Sequence, residues 1–347
     1  MQRVTIQHIA DHLGLSKFAV SRALAGKSGV SELTRQQVRG AAEALGYNVR
    51  SRAGAAAQTV AVIFKDRPTA SRELWVDVQN GIDHEARENA LRMSVHWDFS
   101  PADIRAMTES TAGLILVGPQ LPEMLETALT SSLPAVVVNH IVPPLWPRDQ
   151  ISAADVEAGI AVAKYLHELG HRRVVYAHGR RGFPGRLARL NGFAEAISEL
   201  GDMEVREIAF SDDRAAGDLR EAVLDMAQAG FEPTAFFCGS DIVAVTITSE
   251  LMRMGLRIPE DVSVIGHADY AIATQISPQL STVRMPHKEM GIVAVRVMLA
   301  RAGRSGFLAN LPAQRLNLVP NLVERQSSGI ATGTSWRHRL RDLTVTK

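Results

Sequence analysis

Across the first 45 positions the apolar residues recur three times with the period of an α-helix. Ile6, Ile9, Ala10 and Leu13 make one stripe, Val20, Ala23 and Leu24 a second, and Val38, Ala41, Ala42 and Leu45 a third. Each is preceded by a hydroxyl residue suited to cap a helix: Thr5, Ser16 and Ser31. Gly14 and Gly46 stand where the first and third helices should stop. The second helix is left with Lys17, Phe18, Ser21 and Arg22 on its outer face. An outward aromatic among cations suits a solvated surface poorly. It fits a DNA major groove, where an aromatic ring meets a thymine methyl and Arg forks onto guanine. The pattern predicts a helix-turn-helix.

From Val60 the pattern changes to short apolar runs alternating with amphipathic stretches, which predicts parallel strands covered by helices on both faces. Strands are expected at 60–64, 94–98, 113–117 and 135–139, and again at 173–178, 204–210, 235–239 and 262–267. Helices are expected at 74–89, 104–109 and 123–131, then at 155–169, 187–200, 218–229 and 241–254. The fold class is therefore an all-α helix-turn-helix head on an α/β body of two doubly wound parallel-sheet lobes. Such sheets bind ligands at the carboxyl ends of their strands, which makes the cleft between the lobes the expected effector site.

A chain of 347 residues is long enough for two or three such units. Its one cysteine, Cys238, excludes an intrachain disulfide and reads as a buried thiol in a reducing compartment. The chain opens on Gln2, Arg3 and a helix cap rather than an apolar leader, and no run is long enough to cross a bilayer, so a cytoplasmic, nucleoid-associated location is expected. The net charge of +1 hides an asymmetry. Residues 1–58 hold 8 Lys/Arg against 3 Asp/Glu, and residues 59–328 hold 26 against 33. A basic head on an acidic body fits a phosphate-binding module joined to a separate ligand-binding domain.

The run Val4-Thr5-Ile6 through Ile9-Ala10, Leu15-Ser16-Lys17, Val20 to Leu24, Val30-Ser31, Thr34-Arg35 and Leu45-Gly46-Tyr47 resembles the lactose-repressor/galactose-repressor (LacI/GalR) family of bacterial regulators. The likeness continues through Leu169 to Arg172, Arg189 with Gly192-Phe193, Gly255 to Pro259, Asp261 to Gly266, Thr282 to Arg284 with Pro286, and Leu322 to Ser327. It implies a head at 1–47, a hinge at 48–58 and a two-lobed effector-binding and dimerisation domain at 59–328. It further implies three crossings between lobes, so that the N-lobe takes about 59–155 and 288–319 and the C-lobe about 156–287 and 320–328. The hinge departs from the family's pattern. It is a few residues short, and no Leu lies between Leu45 and Leu74 to wedge into a minor groove; Val49 or Ala56 would have to serve, or DNA is bent less.

For the effector, the resemblance implies Arg189 and Trp75, with Ser240, Asp241 and Asp269 standing where the family's polar ligands thin out. Ser240 replaces an Asn, and Ala268 replaces a ligand Asp, with Asp269 one step on. Arg180, Arg181, Arg186 and Arg189 crowd one loop and helix start, which points to an anionic sugar derivative; the plainer reading makes Arg180 and Arg181 a solvated rim. The Gly-rich run from Gly179 to Gly185 fits neither phosphate-loop spacing, and His8 and His12 have no third metal ligand in view. No cofactor, metal or catalytic constellation is expected.

The expected function is a DNA-binding transcriptional regulator, a repressor on the resemblance, acting as a homodimer on a palindromic operator of double-stranded DNA under a sugar-like effector. Lys17, Phe18 and Arg22 would read bases, and Thr5, Ser16, Ser21, Ser31, Thr34, Arg50 and Arg52 would hold phosphates. Two other readings share the body: a sugar-binding protein or sugar-metabolising enzyme, and an orphan regulator without an effector. The tail, 329–347, lacks Leu heptads and is expected to be disordered.

Overall fold

The computed structural model describes residues 5–24, 30–45, 58–107, 110–140, 142–179, 184–210, 215–303, 311–333 and 335–337. The chain divides into two compact units, Met1–Ala57 and Gln58–Lys347. The first holds α1 (Ile6–Leu13), α2 (Lys17–Leu24) and α3 (Glu32–Ala44). Thr5 Oγ1 accepts from His8 N, and the His8 ring returns the contact to Thr5 N, so a histidine fills the role a Glu usually takes in a capping box. Gly14 ends α1 in the left-handed region, at φ 64°. Ile9, Ala10, Val20, Ala23, Val38, Ala41 and Ala42 make one buried cluster, the three stripes turned toward one another.

The second unit runs β1 (Thr59–Ile63), α4 (Arg67–Ala70), α5 (Glu73–Glu88), β2 (Arg92–His96), α6 (Pro101–Arg105), β3 (Thr111–Val117), α7 (Pro122–Thr130), β4 (Ala135–Val138) and β5 (Asp149–Ala153). It continues with α8 (Asp155–Glu168), β6 (Arg173–His178), α9 (Pro184–Leu200), β7 (Glu204–Ala209), α10 (Ala215–Gln228), β8 (Ala235–Cys238), α11 (Asp241–Arg253), β9 (Ser263–Ala268), α12 (Ile272–Gln275), β10 (Ser281–Arg284), α13 (His287–Arg301), β11 (Arg315–Leu318) and β12 (Asn321–Val323). One sheet has the order β11-β5-β4-β3-β1-β2 and is parallel throughout. The other has the order β12-β10-β9-β8-β6-β7, with β12 antiparallel to β10. Strand membership changes lobe between β5 and β6, between β10 and β11, and between β11 and β12.

In each lobe the helix that follows a crossing lies against the helix that follows the first strand. A Cβ on Gly159 of α8 would stand 2.2 Å from the Arg189 carbonyl oxygen, and one on Gly192 of α9 the same distance from that of Val156. The two helices therefore touch backbone to backbone, which only glycine permits. Gly81 and Gly291 make the matching contact between α5 and α13 in the other lobe. The α8–α9 crossing fixes the site described below, because it sets Arg189 beside Asp155.

Among the elements that periodicity did not predict, α13 is buried on most sides, with His287, Met290, Gly291, Ala294, Val295 and Met298 through Ala300 inside, so no polar stripe marks it. The tail also differs from expectation. Trp336 is 1% exposed, and its Nε1 donates to the Pro233 carbonyl at 3.1 Å. Ser335 bonds Glu232, Ala331 N donates to Leu169 O, and Gly329 O bonds the His171 ring. A tryptophan with a buried acceptor for its N–H ties residues 329–333 and 335–337 to the C-lobe, so these residues are not disordered. The stretch 338–347 lies outside the described residues.

Candidate functional site

On the head, Ser16 Oγ accepts from Ala19 N at 3.1 Å and Ser31 Oγ from Thr34 N at 3.1 Å, so the predicted caps of α2 and α3 are made. Those oxygens accept backbone bonds, and a hydroxyl so used keeps a hydrogen to donate. Ser31 and Thr34 share a 2.7 Å contact between their own hydroxyls, which takes up one of the two hydrogens. Lys17, Phe18 and Ser21 are exposed on α2, with Phe18 at 69%. The Arg22 guanidinium carbon lies 5.3 Å from the Phe18 ring centroid. The face that sequence pattern assigned to DNA is thus apolar at its centre and cationic around it. Arg50 and Arg52, with the hinge, lie outside the described residues.

In the second unit the carboxyl ends of the strands set Arg189, an expected residue, beside others that were not expected. Arg189, on α9, is 5% exposed; its guanidinium contacts the Asp155 carboxylate at the start of α8, and donates to Gly239 O at 2.9 Å. Burial pushes the Asp155 carboxyl up in spite of the guanidinium beside it. His267, at the end of β9, is 5% exposed, and its Nε2 stands 3.7 Å from Asp155. That is too far for a hydrogen bond. Burial, helped by Arg189, His287 and Arg186, holds His267 well below the usual imidazole range, so the ring is neutral and the 3.7 Å contact is no ion pair. Burial likewise lowers His287 to about 4. Its ring stacks with Tyr270 at 6.4 Å and 24°.

Four of the five effector residues inferred from the resemblance are engaged elsewhere, and the fifth is an internal cap. Trp75 is 4% exposed and packs between Phe64 and Gly118, a core ring rather than an open stacking platform. The Arg189 charge is answered by Asp155, which removes its main argument for an anionic ligand. Ser240 Oγ accepts from Val243 N and caps α11. Asp241 is fully buried and accepts from Tyr270 N at 2.7 Å and Thr282 Oγ1 at 2.5 Å; burial raises it to about 6. Asp269 lies between Arg284 at 2.6 Å and Arg325 at 2.7 Å. Arg180 and Arg181 lie outside the described residues.

The segment after β9 gathers these contacts. Ala268 and Asp269 adopt φ of 117° and 60°, conformations L residues rarely take. Asp241 and the two arginines brace it from within its own lobe, and across the lobes Ala271 N donates to Glu73 Oε1 at 2.9 Å. Asp155, His267, Tyr270, His287 and Glu73 are the residues sequence reasoning missed. A usable signal was present: His267 and Asp155 sit at the end of a strand and the start of a helix at a lobe crossing, where doubly wound sheets place their sites.

Comparison with known proteins agrees with both units. Residues 5–49 match the family described as "Bacterial regulatory proteins, lacI family", and residues 163–328 the "Periplasmic binding protein-like domain". The chain is 27% identical over 312 residues to the HTH-type transcriptional repressor CytR of Escherichia coli (strain K12), covering 85% of this chain and 89% of that protein. The lac repressor dimer bound to operator and the anti-inducer ONPF superposes with a TM-score of 0.67 at 21% identity, over 94% of this chain and all of that one. A complex of the transcriptional regulator CelR with cellobiose gives 0.65 at 24%, with the same coverage. At these identities the two structures speak for the fold.

Proposed function

The chain belongs to the lacI family of bacterial regulatory proteins and is a DNA-binding transcriptional regulator; from that premise we propose that it represses transcription as a two-fold dimer whose heads read the half-sites of a palindromic operator. The observation that carries the reading is the outer face of α2, where Lys17, Phe18 and Arg22 stand out from a core made by the other side of the same helix. Arg22 forks onto a guanine, Lys17 and Phe18 set the preference at neighbouring pairs, and Thr5, Ser16, Ser21, Ser31 and Thr34, with Arg50 and Arg52, hold phosphates. The protein works in the cytoplasm, where the DNA is, and catalyses no reaction.

The interlobe cleft takes a small effector, for which a sugar-like molecule is the reading that fits the CelR-cellobiose and lac repressor complexes. Because Arg189 is already answered by Asp155, a neutral sugar is favoured over a phosphorylated one. Effector binding changes the lobe arrangement through its differential affinity for two states, with the Glu73 to Ala271 contact as a cross-lobe tie that such a change would break or keep.

Selection from a pool of random duplexes with the purified full-length protein tests the DNA reading. A site with two-fold symmetry is expected; enrichment of no sequence, or of an asymmetric one, contradicts it. A thermal-shift screen of neutral and phosphorylated sugars tests the effector reading, with a raised melting temperature expected from a neutral sugar. No shift with any sugar favours the orphan reading, to which the internal pairing of Arg189, Asp241 and Asp269 already lends support.

A further inference from the structure

We propose that Phe18 is a positioning residue for Arg22, its ring holding the guanidinium in the orientation in which the fork meets a base edge. The inference rests on the reading of Arg22 as a base-reading residue. Phe18 and Arg22 are four apart on α2, the spacing that brings side chains together on one helix face. At 5.3 Å from the ring centroid the guanidinium lies within the range of cation–π attraction. The ring is 69% exposed and takes no part in the head's buried cluster, so the fold itself does not require an aromatic at this place.

Arginine carries a long side chain whose rotamer freedom is lost on docking to a base, and that loss weakens binding and blurs discrimination. A ring that already holds the guanidinium removes part of the loss before DNA arrives. The planar cation can rest on a ring face and still present its N–H edge outward, because stacking uses the π surface and hydrogen bonding uses the plane. The two residues then act as one unit, and the base Arg22 reads depends on both.

The test uses the full-length protein as wild type, Phe18→Leu, Phe18→Tyr, Arg22→Ala and the Phe18→Leu/Arg22→Ala double variant. Each is titrated against the selected site and against the same site with the Arg22-dependent guanine replaced, and helix content is followed by circular dichroism. Phe18→Leu is expected to cut the preference for that guanine about two- to five-fold per half-site, the weight of an exposed cation–π contact. Phe18→Tyr, which keeps the ring, restores it. In the Arg22→Ala background Phe18→Leu has no further effect at that pair. The proposal is overturned if Phe18→Leu leaves the guanine preference at wild-type strength while changing another base pair, or if the two single effects simply add. If Arg22→Ala leaves every base preference intact, the base-reading role of Arg22 falls first and the positioning role with it, a result distinct from the other two.

Discussion

On α2 of the head, Lys17, Phe18 and Ser21 stand in solvent and Arg22 leans on a ring of its own helix; where the two lobes meet, Arg189 rests on Asp155, Asp269 on Arg284 and Arg325, and Asp241 on Thr282 and Tyr270. Both regions carry the residue types of a binding site. In the first, a core below frees the polar face for a partner; in the second, the polar groups satisfy one another, so that a ligand must displace or join an existing network. Residue type alone did not distinguish the two cases. Burial and partner did.

The largest effect is expected at Asp155, the carboxylate against the buried Arg189 guanidinium. Replacing Asp155 with Ala leaves a buried guanidinium with its anion gone and the neutral Gly239 carbonyl and Tyr176 hydroxyl beside it, which should cost about 3–5 kcal/mol of stability in the second unit. Urea unfolding checks it, and a loss under 1 kcal/mol would mean that the Arg189–Asp155 contact is not an internal brace. Next in size is Trp336→Ala, expected to cost about 3 kcal/mol by opening the cavity its indole fills and freeing the tail. Limited proteolysis beside the unfolding curve should show earlier cleavage after residue 328.

A smaller effect separates the regions by pH. His171, bonded to Thr234 and Gly329 O, is held by burial at about 4 in the fold, against about 6.5 in the unfolded chain. The folded state therefore refuses a proton that the unfolded state accepts. The stability this confers is complete above about pH 6.5 and is lost as pH falls to about 4, on the order of 2–3 kcal/mol. His171→Gln should flatten that slope in the body's unfolding transition; an unchanged slope would assign the acid sensitivity to other groups.

The head was legible because its determinants are local: a cap, a stripe and a stop all lie within one or two helical turns. The parallel sheets were legible for a related reason, since strands buried on both faces read as unbroken apolar runs such as Val60 to Phe64. The helix α13 escaped because it is buried nearly all round, and β5 because Asp149-Gln150-Ile151-Ser152-Ala153 places polar residues in a covered strand. The effector residues escaped for a deeper reason. Arg189 finds its partner 34 positions away and Asp269 one of its own 56 away, choices made by the helix crossing at Gly159 and Gly192 and by the turn after β9. A resemblance carries a residue's identity to a new chain, but not what that residue touches there.

Smallest in free energy and most direct is the effect of Arg22→Ala, about 1–3 kcal/mol per half-site. Gel shifts of wild type and variant on the selected duplex and on random duplex, each at two salt concentrations, read it. Wild type is expected to keep its preference for the selected duplex when salt is raised, and Arg22→Ala to lose the preference while binding random DNA nearly as before. Equal losses on both duplexes would contradict it, because Arg22 would then hold a phosphate and the outer face of α2 would not be where sequence is read.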